Sequence, residues 1–399
     1  MNAAQRNARL RGSWVALLFG AWISAGVAAD YFPPRGEWAS CDPRACQLDL
    51  SAVQTAVEEL QRAESSAPRD QYLSWSQSFG QREPWFDGVL GPMAERGPVS
   101  GLLIHRGLLV AQWGEPERVD MAHSVTKSFL SAVVGLAWQD RLIASVEAPV
   151  AASMPRDVEL CSSAKTGAIN WDQLLRQTSD WQGSLWGKPD WADRPSGVDE
   201  AEWRAVPRHP PGSHYEYNDV RINVLALAAL QVWRSPLPQV LRERIMDPIG
   251  ASPRWRWHGY RNAWVEIDGQ HMQSVSGGGH WGGGMFIDAW DMARFGYLYL
   301  RNGRWRDQQL IDRRWIAMSR QPGSANPNYG YANWFLNTER KALPSAPASA
   351  VYFVGNGMNV IYIDWDHDLV VVARWIKDQQ ALDRFVAQVL AADTKPNHE

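Results

Sequence analysis

The chain has 399 residues, 45% hydrophobic and 21% charged, an ordinary globular composition spread over more residues than one compact core usually organises. Its 43 acidic and 40 basic residues leave a formal charge of −3 with no long run of either sign, so there is no basic field to attract nucleic acid or anionic lipid. Three cysteines and nine histidines, none at zinc-binding spacing, point to a fold held by its own core and to neither metal nor cofactor.

The first residues, MNAAQRNARLRGSWVALLFGAWISAGVAAD, carry three arginines ahead of an apolar stretch from Trp14 to about Ala29. That stretch is shorter than a spanning helix, and Val27 and Ala29 stand at the small-residue positions of a cleavage site, which predicts a signal peptide over residues 1–29 and a periplasmic or secreted protein. An uncleaved membrane anchor is the alternative. No lipobox cysteine stands at the junction, and no other membrane partner is implied. Export permits a disulfide, and Cys41 and Cys46 in CDPRAC are near enough to close a small loop, leaving Cys161 over.

In DLSAVQTAVEELQRAES, residues 49–65, apolar positions recur at three and four, predicting an amphipathic helix. SGLLIHRGLLVAQWG, 100–114, reads as two strands turning at His105, Arg106 and Gly107, and the apolar run HSVTKSFLSAVVGLAWQDRLI follows directly. From about 141 to 261 the pattern changes to helices such as INWDQLLRQ and VRINVLALAALQVW, with a long irregular segment from Trp181 to Pro211. Beyond 262 come a glycine-rich patch, the helix DAWDMARFGYLYLRNG, strands at 359–364 and 368–375, and the closing helix QQALDRFVAQVLAA. Strands at both ends of the mature chain predict an α+β fold. In it an antiparallel sheet is flanked by N- and C-terminal helices (about 48–140 and 262–399), with an inserted, mostly helical lobe (about 141–261).

Only six lysines occur among the 40 basic residues, and one, Lys127, opens the apolar run at 123–143. Ser124 and Lys127, at i and i+3, share a helix face, so the amine can reach the hydroxyl. A serine hydroxyl needs a neighbour to take its proton, and burial against Phe129, Leu130, Val133 and Val134 would favour the neutral amine that can do so. The helix N-terminus also offers backbone N–H groups to a developing oxyanion. A second S-x-x-K, Ser162 to Lys165, lies in a polar loop with no apolar helix behind it and reads as surface. No G-x-S-x-G elbow and no H-E-x-x-H occurs, and GGGHWG at 277–282 lacks the βαβ setting of a dinucleotide site.

The whole run resembles the serine β-lactamase and penicillin-binding protein superfamily, specifically its class C-like branch of D,D-peptidases, esterases and aminohexanoate-oligomer hydrolases. SVTKS, INWDQLLRQTSDW, PPGSHYEYND, GGGHWGGGMFIDAWDMARFG and the final strand pair carry the resemblance, in the family's order over residues 45–395. It implies catalysis by Ser124, Lys127 and Tyr217, with Tyr215 as fallback for the tyrosine. The family's second motif is Tyr-x-Asn, whose asparagine holds substrate; here the triplet is Tyr217, Asn218, Asp219. A carboxylate at 219 cannot donate an amide hydrogen bond but can hold the Lys127 ammonium charged, which shifts proton acceptance towards Tyr217.

The third motif, a late-strand Lys-Thr-Gly or His-x-Gly, is matched by Gly355, Asn356, Gly357 without its cation, so a β-lactam carboxylate lacks its counter-charge. Asn356 and Gly357 are then substrate-binding candidates. His280, beside Trp281 in the glycine-rich loop, is another. Trp181 and Trp186 offer aromatic walls for an apolar acyl or aryl group, or else pin their loop to the body. The expectation is an exported serine hydrolase acting on a small ester, amide or peptide substrate. The alternatives are a β-lactamase or D,D-carboxypeptidase, and a catalytically silent relative that binds cell-wall peptides.

Overall fold

The computed structural model describes residues 31–44, 46–78, 91–154, 160, 166–190, 208–278 and 283–394. The expected signal segment, Cys161, Ser162, Lys165, His280 and Trp281 lie outside those residues.

Helix α1 (Leu50–Arg62) starts where the Asp49 carboxylate accepts the backbone N–H groups of Ser51 and Ala52 and buries Val53, Ala56, Val57 and Leu60, the stripe its spacing predicts. A short α2 (Gln71–Ser76) precedes the hairpin of β1 (Ser100–His105) and β2 (Leu108–Trp113), which turns through left-handed Arg106 and Gly107. Next come β3 (Asp120–Met121), a 3-10 turn (His123–Val125) and α3 (Thr126–Gln139). The following segment holds α4 (Trp171–Leu175), the hairpin of β4 (Ser184–Leu185) and β5 (Lys188–Pro189), α5 (Asp219–Trp233) and α6 (Leu237–Leu241). The chain then forms β6 (Arg256–Ile267), β7 (Gln270–Val275), β8 (Gly284–Ile287) and α7 (Ala289–Leu300), followed by a small hairpin of β9 (Arg304–Trp305) and β10 (Gln308–Gln309). It ends with α8 (Arg313–Ser319), β11 (Phe335–Leu336), β12 (Val351–Gly355), β13 (Asn359–Asp364), β14 (Leu369–Arg374) and α9 (Gln379–Ala391).

Both ends of the chain meet in one antiparallel six-stranded sheet, ordered β11-β12-β13-β14-β1-β2. Its central strands are buried on both faces, which explains why they read as continuous apolar runs rather than alternating ones. Leu102, Ile104, Ile361, Ile363, Val370 and Val372 face one core with α3 and α7; Leu103, Val360, Tyr362, Val371 and Ala373 face the other with α1 and α9. Each Leu, Ile or Val among these contributes about 1.5–3 kcal/mol on burial, so the sheet carries core on both of its faces. The expected α+β architecture is thus present. A second antiparallel sheet, β3-β8-β6-β7, was not foreseen, because its β3 is only two residues long and pairs with β8 more than 160 positions away.

α5 packs against α3 and α4, and the capping box of Asn170 and Gln173 begins α4. Cys41 and Cys46 are free thiols. Among the described residues no helix is long and apolar enough to cross a membrane.

Candidate active site

Ser124 lies where the two sheets meet. The Ala122 N–H bonds the Met285 carbonyl of β8 at 2.8 Å, and Met285 N–H returns to Thr126 Oγ1 at 3.0 Å, which locks the turn ahead of α3. His123 takes a left-handed backbone, φ 48°, immediately before the serine, a conformation that costs a non-glycine residue about 1–3 kcal/mol. Its ring is held by the Gln71 amide oxygen, 3.1 Å from Nε2, and by an edge-on contact to Trp375. Ser124 therefore sits in the 3-10 turn rather than in the helix proper, and it is partly accessible where its neighbours in α3 are buried.

Lys127, fully buried, donates from Nζ to Ser124 Oγ at 2.8 Å. The same nitrogen lies 2.6 Å from Asp219 Oδ1 and 4.9 Å from the centroid of the Tyr217 ring, so it meets a carboxylate and an aromatic face as well as the serine. Asp219, itself 5% exposed, is the first residue of α5, where the helix dipole favours a negative charge. The structure thus brings together Ser124, Lys127, Tyr217 and Asp219.

The loop carrying Tyr217 and Asp219 is clamped by residues that sequence reasoning passed over. Asn218 caps α5 by accepting from Arg221 N–H, donates its own backbone N–H to Gln177 Oε1 at 2.5 Å, and donates from Nδ2 to the Asp190 carbonyl at 2.6 Å. Gln177 Nε2 reaches the Tyr329 hydroxyl at 3.3 Å. Arg221, 1% exposed, meets Asp180 at 2.7 Å and Glu216 at 2.9 Å, while Arg208 meets Asp190 at 3.2 Å. Burial raises the Asp190 pKa, with the Gly183 N–H, Arg208 and Arg221 pulling the other way. Gln177 stood inside INWDQLLRQTSDW, but nothing in the local pattern says that its amide spans to a tyrosine 152 positions on.

Glycines close the site. A β-carbon on Gly278 would collide with Lys127 Nζ and stand 3.1 Å from Asp219 Oδ2, so the glycine backbone lies directly over the ion pair. One on Gly355, the last residue of β12, would strike the Ala122 carbonyl and stand 3.0 Å from the Ser124 nitrogen. Gly355 is therefore the member of its triplet beside the nucleophile. Asn356 is exposed in the following turn, its carbonyl accepting from Asn359 Nδ2 at 2.8 Å, and Gly357, φ 71°, packs on Trp375.

Tyr215 packs beside Tyr329 with ring centroids 5.0 Å apart and planes tilted by 53°, and burial, with neighbouring tyrosines, pushes its pKa up. Trp181 is a packing residue: 5% exposed, it donates from Nε1 to the Leu160 carbonyl and accepts from Arg221 Nε. Trp186, half-buried at the β4–β5 turn, is held through its carbonyl by Asn262 at 2.7 Å. His280 falls outside the described residues. Among the described residues no group of three or more His, Cys, Asp or Glu side chains could hold a metal ion.

A profile of the beta-lactamase family matches residues 102–393. Among solved structures, EstCE1, described as a hydrolase with promiscuous acyltransferase activity, is similar at 16% identity and a TM-score of 0.54, covering 86% of this chain and 100% of its own. A family VIII carboxylesterase matches at 14% identity and TM-score 0.54, over 89% of this chain and 99% of that one. A penicillin-binding protein homologue from Caulobacter crescentus matches at 15% and 0.54, over 89% and 99%. At such identities the likeness speaks for the fold. No protein of curated function matches significantly.

Proposed function

The chain belongs to the beta-lactamase family, and from that premise we propose that it is an exported serine hydrolase that cleaves an ester or unstrained amide through an acyl-enzyme on Ser124. One observation carries the reading: a partly accessible serine hydroxyl 2.8 Å from a fully buried lysine amine. In this reading Ser124 Oγ attacks the carbonyl, Lys127 and Tyr217 move protons, and backbone N–H groups of Ser124 and the strand end at Gly355–Asn356 receive the oxyanion. Water then releases the acid. The positively charged n-region and apolar core of residues 1–29 support export.

The substrate class follows from what borders the serine. Gly355, Asn356 and Gly357 supply no cation, so a substrate bearing a carboxylate next to the scissile bond gains nothing there, which ranks simple esters and amides above β-lactams and D,D-peptides. Short-chain p-nitrophenyl esters assayed against nitrocefin test this ranking. Ester turnover that exceeds nitrocefin turnover in kcat/KM supports it, and the reverse order makes the protein a β-lactamase. A silent peptide-binding relative would turn over neither and take no fluorophosphonate label.

A further inference from the structure

Lys127 meets three partners at once: the Ser124 hydroxyl at 2.8 Å, the Asp219 carboxylate at 2.6 Å and the face of Tyr217 at 4.9 Å. Two of them stabilise an ammonium, and an ammonium has no lone pair with which to take the serine proton. A resting Lys127–Asp219 ion pair is therefore a base only if the lysine hands a proton on as it accepts one. In a Ser-His-Asp triad the imidazole starts neutral and the carboxylate stays ionised, so no such transfer is required there.

We propose that Asp219 is the terminal proton acceptor of a Ser124–Lys127–Asp219 relay, a catalytic role that rests on the serine-hydrolase reading above. As the Ser124 Oγ–carbonyl carbon bond forms, the Oγ proton passes to Lys127 Nζ while one of the Nζ protons passes to the Asp219 carboxylate with which it forms an ion pair. The carbonyl π pair moves to oxygen. When the tetrahedral adduct collapses, the carbon–leaving-group bond breaks, the departing oxygen or nitrogen takes a proton from Lys127, directly or through the Tyr217 hydroxyl, and Lys127 recovers one from Asp219. The ion pair is restored beside the acyl-enzyme, and water repeats the sequence in reverse to release the acid.

The surroundings suit this transfer. The side chains of Lys127 and Asp219 are 0% and 7% exposed, and the Gly278 backbone covers both. Where water is excluded, an ion pair loses much of its advantage over the neutral amine and acid, because both carry the same net charge and only the former needs solvation. The carboxylate is also rigidly placed: it follows the Asn218 cap, which is tied to Gln177 at 2.5 Å and to the Asp190 carbonyl at 2.6 Å. Preorganisation of this kind removes the reorganisation that a surface carboxylate would need.

Asp219→Asn keeps the shape and removes the acceptor. With a p-nitrophenyl ester we expect kcat/KM at pH 7 to fall about 100-fold or more, the usual scale for losing a general base. Its logarithm should then climb by about one unit per pH unit into the alkaline range, while the wild type stays flat from pH 6 to 9. Asp219→Glu keeps a carboxylate and should keep the flat profile; it decides the matter if the asparagine variant does not fold by near-UV circular dichroism. Wild-type rates in Asp219→Asn overturn the relay, as does a loss that leaves the profile flat, since a residue that only orients Lys127 would behave so. An alkaline climb in Asp219→Glu overturns it too. Failure of the underlying reading looks different: the wild type would then neither turn over esters nor take a fluorophosphonate on Ser124.

Discussion

Gly278 lies against Lys127 with no space for a single methyl group between them: a β-carbon at 278 would overlap the lysine's terminal nitrogen. Because Lys127 is also fixed by Ser124 and Asp219, moving its side chain to relieve the overlap takes the amine off the serine. Gly278→Ala is expected to lower kcat/KM on esters by about 100-fold or more, since a misplacement near 1 Å at a reacting group has that scale. The unfolding midpoint should move little by comparison. Steady-state kinetics and a denaturant titration of the same preparation check both halves.

Ser124→Ala and Lys127→Ala should each reduce turnover by several orders of magnitude. The double variant should be little worse than either single one, because members of one catalytic unit fail together. Additive losses in log kcat would mean that the two residues act separately.

Arg221 bears on stability. It is buried with Asp180 at 2.7 Å and Glu216 at 2.9 Å, with Asp190 beside it at 3.7 Å. Replacing it by methionine takes the guanidinium from Asp180 and Glu216 and leaves only Arg208, 3.2 Å from Asp190 and 3.8 Å from Asp180, among these carboxylates; breaking a buried ion-pair network costs about 3–5 kcal/mol. Chemical denaturation of Arg221→Met should show a loss of that order, and activity should fall with it because the Tyr217 loop is tied to the same guanidinium. A midpoint equal to wild type would show the network to be dispensable.

A fourth expectation concerns pH, far from the serine. Burial, reinforced by the neighbouring Asp288 charge, pushes Asp291 up to about 7, against hydrogen bonds from Ser252 N–H and Oγ. A carboxyl whose folded value exceeds its unfolded one binds its proton more tightly when folded. Its contribution is full below the unfolded value near pH 4 and is lost as pH rises towards about 7. Relative to Asp291→Asn, the wild type should lose stability between pH 4 and 7, with a slope no steeper than about 1.4 kcal/mol per pH unit. Thermal melts of the two proteins across that range make the comparison. Parallel curves would contradict it.

How far the sequence disclosed the molecule depends on how local each feature is. NVIYID and LVVVAR announce themselves as strands because both faces are apolar, and Leu50–Arg62 as a helix because Val53, Ala56, Val57 and Leu60 recur at helical spacing. Ser124 and Lys127 were legible for the same reason: they are three residues apart, a separation that the 3-10 turn leading into α3 bridges as a helical turn would. Asp219 was found only as a departure from the Tyr-x-Asn pattern, and its 2.6 Å contact with Lys127 depends on how α5 packs against α3. Gln177, Gly278 and Gly355 stood inside motifs that were singled out, but the motifs did not say which of their residues touch the site, because each owes its contact to a partner far along the chain. For the same reason the pattern favoured Asn356, while packing puts Gly355 next to the nucleophile.

The central claim is that Ser124 carries the acyl group. Rapid acid quench of the purified mature protein with a p-nitrophenyl ester, followed by proteolysis and mass spectrometry, tests it most directly. The peptide bearing Ser124 should gain the mass of one acyl group in the wild type and none in Ser124→Ala. An acyl group on any other residue, or a wild-type peptide that stays unmodified while ester is consumed, would contradict the account.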